Sequence, residues 1–545
     1  MSTIVRNNKD NNVSRMNHEP AVETKYLTED GQPNVALLQD RTPGWLKANV
    51  SVVWLTIALA VLYIYSNVLP VWHTDLWGHL NYGRWIVEHR AVPQLEPTMP
   101  LARGVPFVDL PWLTQVGAYE MIQAYGVSGI QFLNGLGIVL VAGLLSFCVY
   151  GRTRNLGAAL LTLVAFYWGS YQQILVVRPQ LAGLVCFTFV LMMASSSRWR
   201  RWYMFAIPAT FALWANVHGS FIMGLLLLGA FTVGRALDVY RHGKKWKLVL
   251  ADRGVRGLLL STELAAAAVL LNPYGIAAYA EVFAVSKNIN LTSLLEWDPL
   301  TLRMKQGQAA FCLALALVAV YRMSPRRVSA REVLLLIGLG VGMLWHSRMI
   351  IWWAPATAYY LGLHTAAIWQ RWHGPRTKVS RSGGLWTVVT LGIAWIAFAY
   401  TPFGVASVHG REQDPRRAEK KYRSSVSPLT PIDLTDYLKR HPPIGLVFNT
   451  YEWGDYLQWA GPDGIQVFVN SHAHLVPEQV WQDYLDVSRG SVNWQDRLDR
   501  YGVNTVVMEL QGRDALIKQL EDSAAWEKKY ADNKGVVFVR KHPLE

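Results

Sequence analysis

Apolar runs separated by short polar connections organise this chain from residue 50 to about residue 402. They cover approximately 50–70, 128–150, 156–175, 180–196, 203–217, 219–234, 256–272, 308–321, 331–346, 349–367 and 385–402. The first is about 20 residues long, the length a helix needs to cross a bilayer. Together they predict a mainly α, polytopic membrane helix bundle of about eleven spans, in which the shorter runs could be merged or re-entrant. Residues 1–47 precede the runs; they are polar, have no hydrophobic period, and predict a disordered tail. Within the bundle (48–405), residues 71–111 form a long first loop. It opens on His73-Thr74-Asp75-Leu76-Trp77-Gly78-His79 and continues into a Pro-rich segment (Pro93, Pro97, Pro100, Pro106) that cannot be one helix. An amphipathic piece, 112–125, leads into the second run. After residue 405 the pattern changes. Residues 406–430, highly charged over 410–424, read as a linker, and 431–545 alternate short apolar strands with helices. Strands are expected at 445–449, 466–470, 503–508 and 536–539. Helices are expected after Pro431 and at 477–487, 494–501 and 515–530. That alternation predicts a small α/β domain.

Charge adds orientation. The net charge is +14, but the basic residues cluster in alternate connections between runs. One set holds Arg152 and Arg154; Arg198, Arg200 and Arg201; Arg241, Lys244, Lys245 and Lys247; Arg322, Arg326 and Arg327; and Arg371, Arg376, Lys378 and Arg381. Clusters so placed mark cytoplasmic loops rather than a nucleic-acid surface. An odd number of spans then puts the N-terminus inside and the α/β domain outside, with the first run acting as an uncleaved signal anchor. The three cysteines, Cys148, Cys186 and Cys312, all lie inside apolar runs and form neither a disulfide framework nor a zinc motif.

On that topology, polar residues at the run ends converge on the outer face. Asp75 and His79 are four apart and would share one side of a helix. Arg178 stands in Val177-Arg178-Pro179-Gln180, and Asn216 and His218 in Trp214-Ala215-Asn216-Val217-His218-Gly219. Asn272-Pro273-Tyr274, Glu296-Trp297-Asp298 and His346-Ser347-Arg348 complete the set. Each has an ordinary alternative: an interface anchor for Asp75, a snorkelling arginine at a turn for Arg178, a tight reversal for His218, a solvated loop for Glu296 and Asp298. Positive charge at His346 and Arg348 on the outer side runs against the orientation rule, which favours a bound anion there. Outward-facing Arg178, His218, His346 and Arg348 suit a phosphate or diphosphate. A carboxylate among them can take a proton from an attacking hydroxyl or help hold a divalent cation, Mg or Mn.

At these residues the chain resembles the GT-C glycosyltransferase superfamily, which includes protein mannosyltransferases and the oligosaccharyltransferase catalytic subunit. It resembles more closely a bacterial branch with an Asp-x-Trp-x-His-Leu-like first loop, here Asp75–Leu80, then Arg178-Pro179-Gln180, Trp214–Gly219, and Tyr451-Glu452-Trp453-Gly454-Asp455-Tyr456-Leu457 in the C-terminal domain. The resemblance covers roughly residues 50–545. It implies a polyprenyl-phosphate-linked sugar donor, an inverting transfer outside the bacterial inner membrane, and Asp75 as base or metal ligand; His79, one turn along, is read from its spacing as an orienting or phosphate-facing partner. Where the branch often carries an Asp-Gly-Arg-like segment, this chain reads Asn470-Ser471-His472. A tryptophan-tryptophan-aspartate motif for sequon recognition is absent, so asparagine glycosylation is disfavoured.

The acceptor expected is an extracytoplasmic glycan, lipid or protein, with Trp453, Tyr456 and His472 as candidate acceptor-domain residues; core packing is the alternative for the first two. A transporter or flippase of a lipid-linked or anionic solute is a rival reading, against which stand the lack of an internal repeat and of mid-span charges. A non-catalytic membrane scaffold is the other; it has no need of Asp75 together with the outer Arg and His residues.

Overall fold

The computed structural model describes residue 32 and residues 40–72, 75–196, 199–374 and 382–544. Most of the N-terminal tail, His73 and Thr74 of the first loop, and Arg198, Arg376, Lys378 and Arg381 of the basic clusters lie outside the described residues.

The bundle opens with strand β1 (Ala48–Asn49) and helix α1 (Val50–Val68), which Asn49 caps by accepting the Val52 amide at 3.0 Å. The first loop folds as α2 (Asp75–His89), an irregular Pro-rich stretch, and α3 (Trp112–Tyr125). Then come α4 (Val127–Thr153), α5 (Leu156–Leu175), α6 (Gln180–Ala194), α7 (Tyr203–Val217) and α8 (Phe221–Gly243). The short α9 (Trp246–Ala251) leads to α10 (Arg253–Val269) and α11 (Ala277–Ser286). The bundle continues with α12 (Lys305–Met323), α13 (Ala330–Trp345), α14 (Ile350–His373), strand β2 (Ser382–Gly383) and α15 (Gly384–Ala399). Helix α16 (Pro402–His409) follows a bend of 87°.

Every expected apolar run coincides with a helix, but fewer meet the length of a full crossing. Among the described residues α1, α4, α8 and α12 are long and apolar enough, with the α15–α16 pair a fifth if it counts as one span. Helices α6 and α7, at 15 residues each, reach only about 22 Å against a hydrocarbon core of about 30 Å. Helix α14 is the central post, buried from Ile350 to His364. Small residues let it approach α5: a Cβ added at Gly169 would stand 2.9 Å from Ala354 Cβ. Helices α4, α8, α12 and α14 carry Arg152, Arg241, Arg322 and Arg371 in their last turns. The opposite ends of α5, α7 and α13 lead to Arg178, His218 and His346. Each basic turn therefore faces away from the candidate site.

The charged segment 406–430 contains a helix, α17 (Pro415–Ser425), and pins to the first loop through backbone bonds of 2.8 Å (Val71 N to Ser425 O) and 3.0 Å (Ser427 N to Val71 O). The head domain follows: α18 (Ile432–Arg440), β3 (Leu446–Asn449), α19 (Gly454–Ala460), β4 (Gln466–Val467), α20 (Glu478–Ser488), α21 (Trp494–Arg500), β5 (Val503–Glu509), α22 (Asp514–Asp522), β6 (Trp526–Ala531) and β7 (Gly535–Arg540). Its sheet has the order β4-β3-β5-β7-β6, parallel at β4-β3-β5 and antiparallel at β5-β7-β6. The helix expected over 515–530 stops at Asp522, and its second half is strand β6. The cause is a turn: Asp532 Oδ1 accepts from the amides of Lys534 and Gly535, both at 2.8 Å, folding β6 back on β7.

Candidate active site

Pro179 lacks an N–H and ends α5 before α6 begins, so Arg178 is held at the mouth of the bundle rather than within a helix. Its side chain is only 11% exposed. Arg178 Nε donates to Asp75 Oδ2 at 2.7 Å, and Nη1 donates to Glu296 Oε2 at 2.6 Å. Arg348 Nη1 donates to the other Glu296 oxygen at 3.2 Å, and its guanidinium lies 4.9 Å from the Trp297 ring centre. Asp75 is the first residue of α2, where the helix dipole favours a negative charge. Burial alone would raise the Glu296 carboxyl, but Arg348 and Arg178 hold it below the usual carboxylate range. Arg178, conversely, is made a firmer cation: burial works against its charge, and Asp75 and Glu296 more than offset it. Four expected residues thus form one continuous chain, Asp75–Arg178–Glu296–Arg348.

His346 and Asp298 serve the loop that presents Glu296. His346 Nδ1 donates to the Trp297 carbonyl at 2.8 Å, Ser347 N donates to the Asp298 carbonyl at 2.8 Å, and Ser347 Oγ donates to the Glu296 carbonyl at 3.1 Å.

A group of histidines lies beside the chain. His79, one turn along α2 from Asp75, has Gln115 Nε2 at 3.2 Å from Nδ1; the same amide donates to Asp109 Oδ1 at 2.7 Å. The His472 ring is 5.5 Å from that of His79, and His474 is 5.7 Å from His472. His218 Nδ1 accepts the Ser220 amide at 3.0 Å. Burial is the largest cause that depresses all four. His79 is brought down to about 4, with Asp75 partly offsetting the burial and His218 and Arg178 adding to it. His218 falls to about 3 beside Arg348 and Arg178, His472 to about 3 beside His79, and His474 to about 3 beside His472 and Arg348. They are neutral N–H donors at neutral pH. Burial thus disfavours a cationic His218, and beside these four rings the positive charge comes from Arg178 and Arg348. Asp109 is pushed up to about 8 by burial, partly offset by its bond from Gln115.

The head domain closes over this site through α19. Asp455 is fully buried; its Oδ2 accepts the Ser471 amide at 3.1 Å, and a Cβ at Gly78 of α2 would stand 2.5 Å from its Oδ1. Asn81 Nδ2 donates to the Asp455 carbonyl at 3.0 Å. Trp453 and Tyr456, candidates for the acceptor with core packing as the alternative, are 2% and 3% exposed. Trp453 lies under Gly535 of β7, and Tyr456 packs edge-on to Trp77 with centres 5.1 Å apart. Both are packing residues. His472 is the acceptor candidate that does reach the site. The sequence reading missed His474, Gln115, Asp109 and Asp455; the i, i+2 pair His472-Ala473-His474 was the available signal for the first. Among the described residues no group of three or more His, Cys, Asp or Glu side chains could hold a metal ion. The space between Asp75 and Glu296 is filled by the Arg178 guanidinium, so no step is assigned to a metal.

This helix bundle, with its first loop opening on Asp75 at the start of α2 and an α/β head domain closing over it, has a GT-C-like fold. Solved structures share it. The oligosaccharyltransferase AglB from Archaeoglobus fulgidus, in complex with an inhibitory peptide and a dolichol-phosphate, superposes with a TM-score of 0.52 at 13% identity, covering 86% of this chain and 69% of that one. ArnT from Cupriavidus metallidurans does so at 0.51 and 15% identity in the apo state, and at 0.50 and 16% bound to undecaprenyl phosphate. Each ArnT match covers 89% of this chain and 97% of that one. No protein-family profile matches the sequence, and no curated protein does. At these identities the likeness concerns the fold.

Proposed function

We propose that the protein is a glycosyltransferase of the bacterial inner membrane that moves a sugar from a polyprenyl-phosphate donor to an acceptor hydroxyl outside the cytoplasm. The carrying observation is Arg178 held between two carboxylates, Asp75 and Glu296, with Arg348 on the second. A donor phosphate offers two anionic oxygens in the geometry of the guanidinium fork and competes with the carboxylates for the guanidiniums, which can bind it bidentately. As Arg178 turns to the phosphate, Asp75 gives up that bond and becomes a better base. The acceptor oxygen then attacks the anomeric carbon, its proton passes to Asp75, and the bond from that carbon to the phosphate oxygen breaks. The electron pair leaves with the polyprenyl phosphate, whose added negative charge falls on Arg178 and Arg348. Neutral His79, His218 and His472 can donate N–H bonds to sugar or phosphate without holding the product by charge. That ArnT and AglB have been solved with polyprenyl-type phosphates supports the donor class.

The test is mass spectrometry of lipid co-purified with the protein from its host membrane. A polyprenyl phosphate, or its sugar ester, is expected; a preparation that retains only bulk phospholipid would count against the donor.

A further inference from the structure

A second concave site lies on the far side of α2. A cleft of about 340 Å³ separates this helix from the end of α19 and the Gly461-Pro462-Asp463-Gly464 turn. On α2 it is lined by Asn81, Arg84, Trp85 and Glu88, one stripe at helical spacing; across from them are Gln458 and Trp459. Arg84 is held in place: Nη2 donates to Asn81 Oδ1 at 3.0 Å and to the Gln458 carbonyl at 3.2 Å, and its guanidinium lies 5.1 Å from the Trp459 ring centre. Trp85 stacks on His89 at 4.2 Å, which fixes the plane of its indole. Glu88 and Asp463 stand exposed in the lining, so two carboxylates oppose one engaged guanidinium. Gly464, at φ +72°, takes the left-handed conformation that lets the turn form the far wall.

We propose that this cleft binds a saccharide chain of the acceptor, a class assignment that rests on the transferase reading. The lining is too polar for a lipid tail, and its charge repels a phosphate. Rigid indoles beside fixed amide, guanidinium and carboxylate groups match a ligand with weakly apolar faces and hydroxyl-rich edges. Arg84 is nine residues from Asp75, which places it about 14 Å along α2 and half a turn round. The cleft therefore holds a remote part of the acceptor, not its reacting end. Binding there supplies affinity and selection while the chemistry proceeds at Asp75.

The experiment uses the full-length protein in nanodiscs, free of sugar-based detergent, with tetrasaccharides of N-acetylglucosamine, glucose and mannose as probes in saturation-transfer NMR. At least one should bind saturably. Trp85→Ala should weaken it about tenfold. Asp463→Asn, an exposed turn substitution that spares folding, should weaken it measurably, and Asp75→Asn should leave it unchanged. No saturable signal from any probe, or equal affinity in Trp85→Ala and Asp463→Asn, would overturn the cleft. Saccharide binding in a protein that transfers no sugar would sink the transferase reading and leave the cleft as a glycan site.

Discussion

Asp75 accepts from Arg178 at 2.7 Å, and that pairing bears on what its removal should do. Asp75→Asn keeps size and hydrogen-bonding shape, and Arg178 retains Glu296, so the bundle should stay folded. Transfer by the purified variant should fall about 10²–10⁴-fold, the usual worth of a general base. A loss of less than about threefold is too small for that role and would make Asp75 an interface anchor. Arg348 lies at the open end of the ion-pair chain. Arg348→Gln should weaken donor binding in a titration with lipid-linked donor, and Arg348→Lys should restore it only partly, because the planar fork is lost. Unchanged affinity in the Gln variant would limit Arg348 to stacking on Trp297. The histidines set the acid limit. Their folded values, about 3 to 4, lie below the usual 6.5. Between those values the unfolded chain binds more protons than the folded one, so stability rises with pH there. The thermal stability of the head-domain contact should thus fall as pH drops from about 6.5 toward 4 and level out above 6.5. Flat stability across that window would mean the rings are solvated.

At the scale of elements, the contact of α2 with α19 joins the two halves of the site. Gly78 permits it, since any side chain there meets the Asp455 carboxylate at 2.5 Å. Gly78→Ala should displace Asp455 from the Ser471 amide and shift the loop that carries His472 and His474. The expected cost is about 1–3 kcal/mol of docking energy, as for other overpacked interfaces. Hydrogen exchange should show faster exchange at 470–476 with the β5–β7 ladder unchanged. Equal protection at 470–476 would mean that α2 simply shifts. The first-loop helix and its acid were legible in the sequence because a polar stretch with i, i+4 spacing carries its own pattern. Strand β6 was not. Trp526–Ala531 is a mostly exposed edge strand whose residues suit a helix as well, and only pairing with β7 makes it a strand.

For the whole molecule, the topology rests on the basic turns of α4, α8, α12 and α14 gathering at the end opposite the site. A reporter fused at the C-terminus should be active only outside the cytoplasm; a cytoplasmic signal would place every candidate residue on the wrong face. The sequence by itself determined the helical runs, the charge alternation, and which residues stand at the run ends, because hydropathy and helix-breaking residues act locally. It also placed Asp75, Arg178, Glu296 and Arg348 at one face, since an alternating bundle returns every second connection to the same end. Only the tertiary structure decided who meets whom. Arg178 finds Asp75 at a separation of 103 residues and Glu296 at 118, and His472 reaches His79 from another domain. Tertiary packing likewise buried Trp453 and Tyr456 and lowered the proton affinity of His79, His218, His472 and His474. Pairing, burial and proton affinity all depend on the neighbours that packing supplies, and no local pattern encodes those neighbours.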